Sequence, residues 1–329
     1  MTARVLVIVP THDHPWALDL SVESVLAQTL ENLDIVIIGD GVGDDTRDVV
    51  ASLLERDRRI RFIDALKSPS RAERVRHEVI SSTDADVVAY LGDDDLFFPD
   101  HVESMVALLD DHDFAHPVSV CVDEHDDLTA FPADLSDADC VEWHLHRGWN
   151  TIGLTGVAHT SEMYRRLPQG WTEPPEGWWS DHYFWSQIFQ LPGVRLVTSD
   201  RSTVIKPPSA WRSDHAPDAR RASLERWLQR IGQPEYEEEW NRLVGDAVRR
   251  SAVTNSMWTV RHHRTIGELR ELLDQQAKLL EDLQDSGLAP ARAELAAMRS
   301  SRTWRLRDRL VQVTLLRALF ARPAPSGRG

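Results

Sequence analysis

Cysteine is nearly absent, long apolar runs are missing, and basic charge is scarce. Cys121 and Cys140 are the only cysteines in 329 residues and form no C-x-x-C pair. This excludes a disulfide framework and a thiolate zinc site, and a reducing cytoplasm is the natural setting. No stretch of roughly 18 apolar residues occurs, the length a bilayer-spanning helix needs. Residues 1–4 lead straight into a strand-like run with no signal-peptide architecture, so a cytoplasmic location is expected. Lys and Arg number 37 against 53 Asp and Glu, a net charge of −16. Residues 299–329 carry eight arginines and one acid, a net of +7, which leaves −23 on the rest. So acidic a body is unsuited to phosphate backbones, and nucleic acid is excluded as a general partner.

What is present suffices for a large core: 42% of residues are hydrophobic. Val5-Leu6-Val7-Ile8-Val9 is a continuous apolar run stopped by Pro10, and Leu33-Asp34-Ile35-Val36-Ile37-Ile38 is a second run ending at Asp40. Ile60-Arg61-Phe62-Ile63 is a third, and Val87-Val88-Ala89-Tyr90-Leu91 a fourth, ending in Gly92-Asp93-Asp94-Asp95. Helical spacing lies between them at Leu18, Val22, Val25 and Leu26, at Val49, Val50, Leu53 and Leu54, and across residues 71–81. Strands alternating with helices imply βαβ units and a mainly parallel sheet with ligands beyond the carboxyl strand ends. Pro10, Asp40 and residues 93–95 then share one rim. Three adjacent aspartates repel one another unless a cation or solvent relieves them, and hard oxygen ligands suit Mg²⁺ or Mn²⁺. A solvated acidic turn is the alternative.

Residues 4–100 resemble the N-terminal half of a family-2 glycosyltransferase with a GT-A fold. The likeness rests on Val7-Ile8-Val9-Pro10-Thr11, on Ser21-Val22-Glu23-Ser24-Val25-Leu26-Ala27-Gln28-Thr29 and on the strand into Asp40-Gly41. It continues through Arg71 to Arg76, Leu91-Gly92-Asp93-Asp94-Asp95-Leu96 and Pro99-Asp100. The resemblance implies an α/β, Rossmann-like sheet flanked by helices. It also implies that Pro10, Thr11, Asp13 and Asp40 meet the nucleotide base and that Arg71 or Arg76 approaches the nucleotide. Asp93 is assigned to the ribose and Asp94 to a bridging Mn²⁺ or Mg²⁺, with Asp95 nearby. Two departures stand out. Gly92 occupies a position where many members carry aspartate, and Gly39-Asp40-Gly41-Val42 lacks the usual second acid.

Beyond residue 100, Val102, Met105, Val106, Leu108 and Leu109 predict a helix and residues 118–122 a strand, followed by a solvated acidic loop over 123–139. Residues 150–159 are β-rich and similar to the acceptor-side strand of the family. In the family an acidic pair opens the next helix and its aspartate is the general base. Ser180-Asp181 stands there, so Asp181 inherits the role. A sugar hydroxyl needs a proton acceptor, and one carboxylate suffices for direct displacement with inversion; capping the helix is the plainer reading of Asp181. Trp178 and Trp179 suit stacking on an acceptor sugar, and His182 is assigned to the same side, with a packed or orienting role as the alternative. Residues 200–206 read as a last strand. By likeness to GT-A enzymes, His215 completes the metal shell, or His215 or Lys206 serves the diphosphate.

The expected organisation is a transferase domain over 1–218 (nucleotide half 1–100, acceptor half 101–218), a helical extension over 219–298, a basic amphipathic helix over 299–322 and a disordered tail over 323–329. The stripe Ile266, Leu269, Leu273, Gln276, Leu280 and Leu283 fits either a short homodimeric coiled coil or packing on the catalytic domain. The basic helix fits a peripheral membrane contact or docking onto the acidic body. The expected function is metal-dependent, inverting transfer from a nucleoside-diphosphate sugar, UDP first and dTDP or GDP behind it, to a hydroxyl acceptor that the sequence does not name. A non-catalytic nucleotide-sugar-binding subunit is the alternative.

Overall fold

The computed structural model describes residues 3–123, 125–146, 150–207, 216–233, 235–286, 293–294 and 296–298. Seven strands form the central sheet, in the spatial order Leu196–Thr198, Phe114–His116, Ala158–Thr160, Val87–Tyr90, Val5–Thr11, Leu33–Asp40 and Ile60–Ala65. Its first half is built from β1 (Val5–Thr11), α1 (Pro15–Leu26), β2 (Leu33–Asp40), α2 (Asp44–Arg56), β3 (Ile60–Ala65), α3 (Glu73–Ser82) and β4 (Val87–Tyr90). Here β1 runs parallel to both β2 and β4, with Val5 opposite Leu33 and Val87. Helices cover both faces of these strands, which is why their sequences are continuous apolar runs rather than alternating ones. Val5, Val7 and Val9 face α1 with Leu18, Val22 and Val25, while Leu6 and Ile8 join Ile80, Tyr90, Trp171 and Trp185 on the opposite face.

The second half departs from simple alternation. After β5 (Leu96–Phe97) and α4 (His101–Leu109) come β6 (Phe114–His116), β7 (Ser119–Val122), β8 (Leu128–Phe131) and α5 (Ala138–His144). Then follow β9 (Ala158–Thr160), α6 (Ser161–Arg165), α7 (Ser180–Phe189), β10 (Leu196–Thr198) and β11 (Val204–Ile205). Strand β9 enters antiparallel between β4 and β6, and β10 extends the sheet parallel to β6. The stretch expected as a loop over 123–139 contains β8 and leads into α5. Leu128 and Ala130 face inward on β8, which pairs with β7 as a hairpin, and Asp137 caps α5 by accepting from the Asp139 amide. Of the strand expected over 200–206, Val204 and Ile205 pair with β5.

Helix α8 (Pro217–Ile231) and the start of α9 (Tyr236–Ser286) pack a third apolar cluster around Leu224, Trp227, Ile231 and Trp240, together with Leu96, Phe98 and Ile205. The Trp240 indole N–H donates to the Ser202 carbonyl at 2.6 Å. The first compact unit therefore runs to Ser251, whereas the sequence places the boundary at 218. A second unit begins at Ala252. Its helical residues include Leu273, 62% exposed. The expected basic helix and tail, residues 299–329, lie outside the described residues. Among those described, no helix is long and apolar enough to cross a membrane.

Candidate functional site

Because β1 and β4 are parallel neighbours in register, Ile8 opposite Tyr90, the segments after them leave the sheet side by side. After β1 the chain turns through His14 into α1, with Pro15 at the first helical position. After β4 it turns through residues 91–95 into β5. The two turns meet where His14 Nδ1 lies 2.9 Å from Asp93 Oδ1. One ligand atom each from His14, Asp93 and Asp94 lies within 4.8 Å of the others, the one such cluster among the described residues. Burial pulls the His14 imidazole down, but the hydrogen bond and charge of Asp93, with Asp94 and Asp13 behind, push it up to about 9. Burial and the Asp93 charge raise the Asp94 carboxyl, against His14, Arg220 and Lys206. Arg220 Nη2 donates to Asp94 Oδ2 at 2.8 Å. Two carboxylates and an imidazole within one ion's reach fit a divalent cation.

Asp95 does not join this cluster. It turns beneath it, buried, and accepts the Thr155 hydroxyl. Thr155 Oγ1 accepts in turn from the Gly92 amide at 2.9 Å. Burial and then the Asp94 charge push the Asp95 carboxyl up to about 7. A Cβ on Gly92 would stand 2.7 Å from Asp95 Oδ2 and 3.1 Å from Thr155 Oγ1, so glycine there leaves room for the buried aspartate. Lys206 reaches the same place over Gly153, where a Cβ would lie 2.5 Å from its Nζ. Burial lowers the Lys206 ammonium, but Asp95, Asp181 and Asp94 help hold it above its ordinary value.

Asp40, at the end of β2, is buried and meets Lys67 Nζ at 2.5 Å and the Ser68 amide at 2.6 Å. Burial raises its carboxyl, and these two partners bring it below the usual value. Gly41 turns the chain at φ 68°, and a Cβ there would fall 2.5 Å from Lys67 Cβ. Pro10 is half-buried at the end of β1, Thr11 is buried with no partner for Oγ1 among the described residues, and Asp13 is exposed. The two candidate arginines part company. Arg71 is exposed, whereas Arg76 is buried, 4.5 Å over the Trp171 ring, and donates to the Arg71 carbonyl at 2.6 Å.

Helix α7 starts after Trp178 and Trp179. Trp179 is 41% exposed, while Trp171 and Trp185 are core. Asp181 sits in the first turn and its Oδ1 accepts from the His182 amide at 2.7 Å, so the geometry includes the local helix-start role. Its charge also acts on Arg76 and on Lys206, and Lys206 feels the charges of Asp94 and Asp95 as well. His182 is fully buried, with Nε2 2.7 Å from the His144 carbonyl and its ring 4.8 Å from Trp178. It packs against the tryptophan and is not exposed at the surface. His215 lies outside the described residues. His14, Thr155 and Arg220 went unread in the sequence. Nothing in the spacing of Thr11-His12-Asp13-His14 selects one histidine, and Arg220 lies 126 residues from its partner Asp94.

Parts of the chain are similar to known proteins. Residues 6–155 match the model of glycosyl transferase family 2. An uncharacterized glycosyltransferase of Rickettsia felis is 33% identical over 112 residues, 34% of this chain and 18% of that protein. Protein CgeD of Bacillus subtilis is 22% identical over 233 residues, 65% of this chain and 52% of its own length. The chain thus spans about a fifth of the Rickettsia relative and half of CgeD. Among solved structures, the mannosyltransferase PcManGT of Pyrobaculum calidifontis, in complex with GDP-Man and Mn²⁺, is similar with a TM-score of 0.49 at 15% identity, covering 93% of this chain and 83% of that one. The family match thus falls on residues 6–155, the part of the chain that carries most of the parallel strands and the His14–Asp93–Asp94 cluster, and it is to glycosyl transferase family 2 that this part of the chain is similar.

Proposed function

We propose that this protein transfers a glycosyl group, with inversion, from a nucleoside-diphosphate sugar to an acceptor hydroxyl. The observation that carries this reading is the convergence at the ends of β1 and β4. His14, Asp93 and Asp94 are drawn within one ion's reach. Asp93, Asp94 and His14 would hold Mn²⁺ or Mg²⁺, which when bound neutralises charge on a departing diphosphate. On the nucleotide side, Asp40 offers carboxylate oxygens to a base N–H, and the unpartnered Thr11 Oγ1 supplies a further polar contact. Uracil is the first choice of base, with thymine and guanine behind it. Arg71 is the exposed arginine for the nucleotide, and Arg76 supports the site from beneath.

In the transfer itself the acceptor oxygen attacks the anomeric carbon, and the bond to the diphosphate oxygen breaks with its electron pair. Asp181 takes the hydroxyl proton, and the nucleoside diphosphate leaves. The His182 amide holds one oxygen of Asp181 and so orients the other. Trp178 and Trp179 offer faces to the acceptor sugar. Lys206, set among Asp94, Asp95 and Asp181, keeps their charge from repelling an anionic donor. The test is calorimetric titration of UDP, dTDP and GDP, each with Mn²⁺ and with chelator. Metal-dependent binding of one of them is expected. Failure of all three to bind would overturn the transferase reading in favour of a scaffold.

A further inference from the structure

We infer that Arg220 is a diphosphate-binding group stored on Asp94 and released when a divalent cation takes that carboxylate. The inference rests on reading His14, Asp93 and Asp94 as the cation site. Its starting point is how firmly α8 is placed. Arg221 makes two bonds to Asp19, at 2.8 and 2.9 Å, and donates to the Trp16 carbonyl at 2.7 Å. One turn further on, Leu224 and Trp227 are buried. With the helix so anchored against α1, the neighbouring Arg220 spreads its guanidinium 4.4 Å over the Trp16 ring and reaches Asp94 Oδ2 at 2.8 Å. Its side chain is 16% exposed and that of Asp94 17%.

Asp94 therefore belongs to two arrangements at once. It supplies a ligand atom to the three-residue cluster, and it carries a guanidinium. A divalent ion and an arginine on one carboxylate repel each other, and partial burial leaves little water to screen them. Occupation of the cluster must loosen Arg220. Five N–H donors in a planar fork suit phosphate oxygens as well as carboxylate oxygens. A diphosphate bound beside this site would offer such oxygens, while Trp16 keeps the guanidinium plane in place. The exchange is also balanced in charge. The ion adds two positive charges, the diphosphate a comparable negative charge, and Arg220 moves from one anion to another.

The two roles predict opposite effects from one substitution, which simple loss of a structural contact does not. In the full chain, Arg220→Gln should bind Mn²⁺ alone about tenfold more tightly, because the ion no longer competes with a charge-assisted bond. With Mn²⁺ present, the same variant should bind inorganic pyrophosphate about tenfold more weakly. Arg220→Lys keeps the charge and the aliphatic stem and should show both effects in smaller measure, which covers the case in which glutamine unsettles α8. Asp94→Asn is the control and should lose Mn²⁺ binding. If wild-type Mn²⁺ binding depends on Asp94 but Arg220→Gln leaves it unchanged or weaker, the storage role is overturned while the cation site stands. If the wild type binds no Mn²⁺, the cation site and the storage role fall together.

Discussion

Thr155 is the hinge of the buried half of the site, and Thr155→Val tests whether Asp95 is held there by hydrogen bonding or by packing alone. Valine has nearly the same shape, so no cavity opens, but two bonds vanish. The Gly92 amide loses its acceptor at 2.9 Å, and Asp95 loses the Thr155 hydroxyl. An amide stranded in a buried place costs about 1–3 kcal/mol, and a bond to a charged group contributes about 1.5–3 kcal/mol. The sum, about 2.5–6 kcal/mol, is a large part of a typical total of about 5–15 kcal/mol. The Asp95 carboxyl, already raised to about 7 by burial and Asp94, rises further without the hydroxyl. Protonation relieves part of the loss, so the variant's deficit should be larger at pH 8 than at pH 6. Urea unfolding at both values measures it, and Thr155→Ser should recover most of the loss. A deficit below about 1 kcal/mol at pH 8 would refute the account, given the size expected of such bonds.

Three further outcomes are expected. His101 and His116, each lowered to about 3, and His159, lowered to about 4, are buried neutral, mainly because burial disfavours their charge. The unfolded chain takes up protons below about pH 6.5 while the folded chain does not. Stability should therefore fall from pH 6.5 toward 4 by up to about 1.4 kcal/mol per pH unit for each histidine, with Asp95 offsetting a share; denaturant melts that rise in stability toward pH 5 would contradict this. Gly41→Ala forces a side chain at φ 68° against Lys67 Cβ, 2.5 Å away, so it should displace the loop onto Asp40 and weaken nucleotide binding about tenfold or more in calorimetry, with the fold retained by circular dichroism. Asp181→Asn should abolish sugar transfer while leaving nucleotide affinity within about twofold, because only the proton acceptor is removed; normal transfer by that variant would end its assignment as base.

The fold was legible where burial on both faces imposed one composition. Val5 to Val9 and Val87 to Leu91 can only be interior strands, and their ends located the rim. Beyond residue 110 the signal faded because β6, β9, β10 and β11 are two or three residues long, too short for a period, and are held by pairing with distant strands. The acidic composition of residues 123–139 concealed β8, whose alternation spans four residues. Within the site, Asp93 and Asp94 announced themselves by mutual repulsion and Asp40 by its strand end. Asp95 looked equivalent to its neighbours because a sequence does not show that Gly92 and Thr155 make a pocket beneath them. Tryptophan was ambiguous for the opposite reason. Trp171 and Trp179 sit in similar glycine-rich contexts, yet one is core and the other is exposed.

The antiparallel insertion of β9 bears on how the chain can be cut and how it emerges during synthesis. The family match ends at residue 155, three residues before β9 begins at Ala158. A fragment stopped there would keep β4 and β6 but lack the strand that bridges them, leaving two apolar edges with unpaired amides and carbonyls. Edges of that kind recruit other chains, so such a fragment should aggregate despite containing every residue of the His14–Asp93–Asp94 cluster. A nascent chain faces the same hazard until residues 158–160 clear the ribosome. For this protein the smallest piece worth expressing is therefore set by sheet closure, and it extends well past the last residue of the family match.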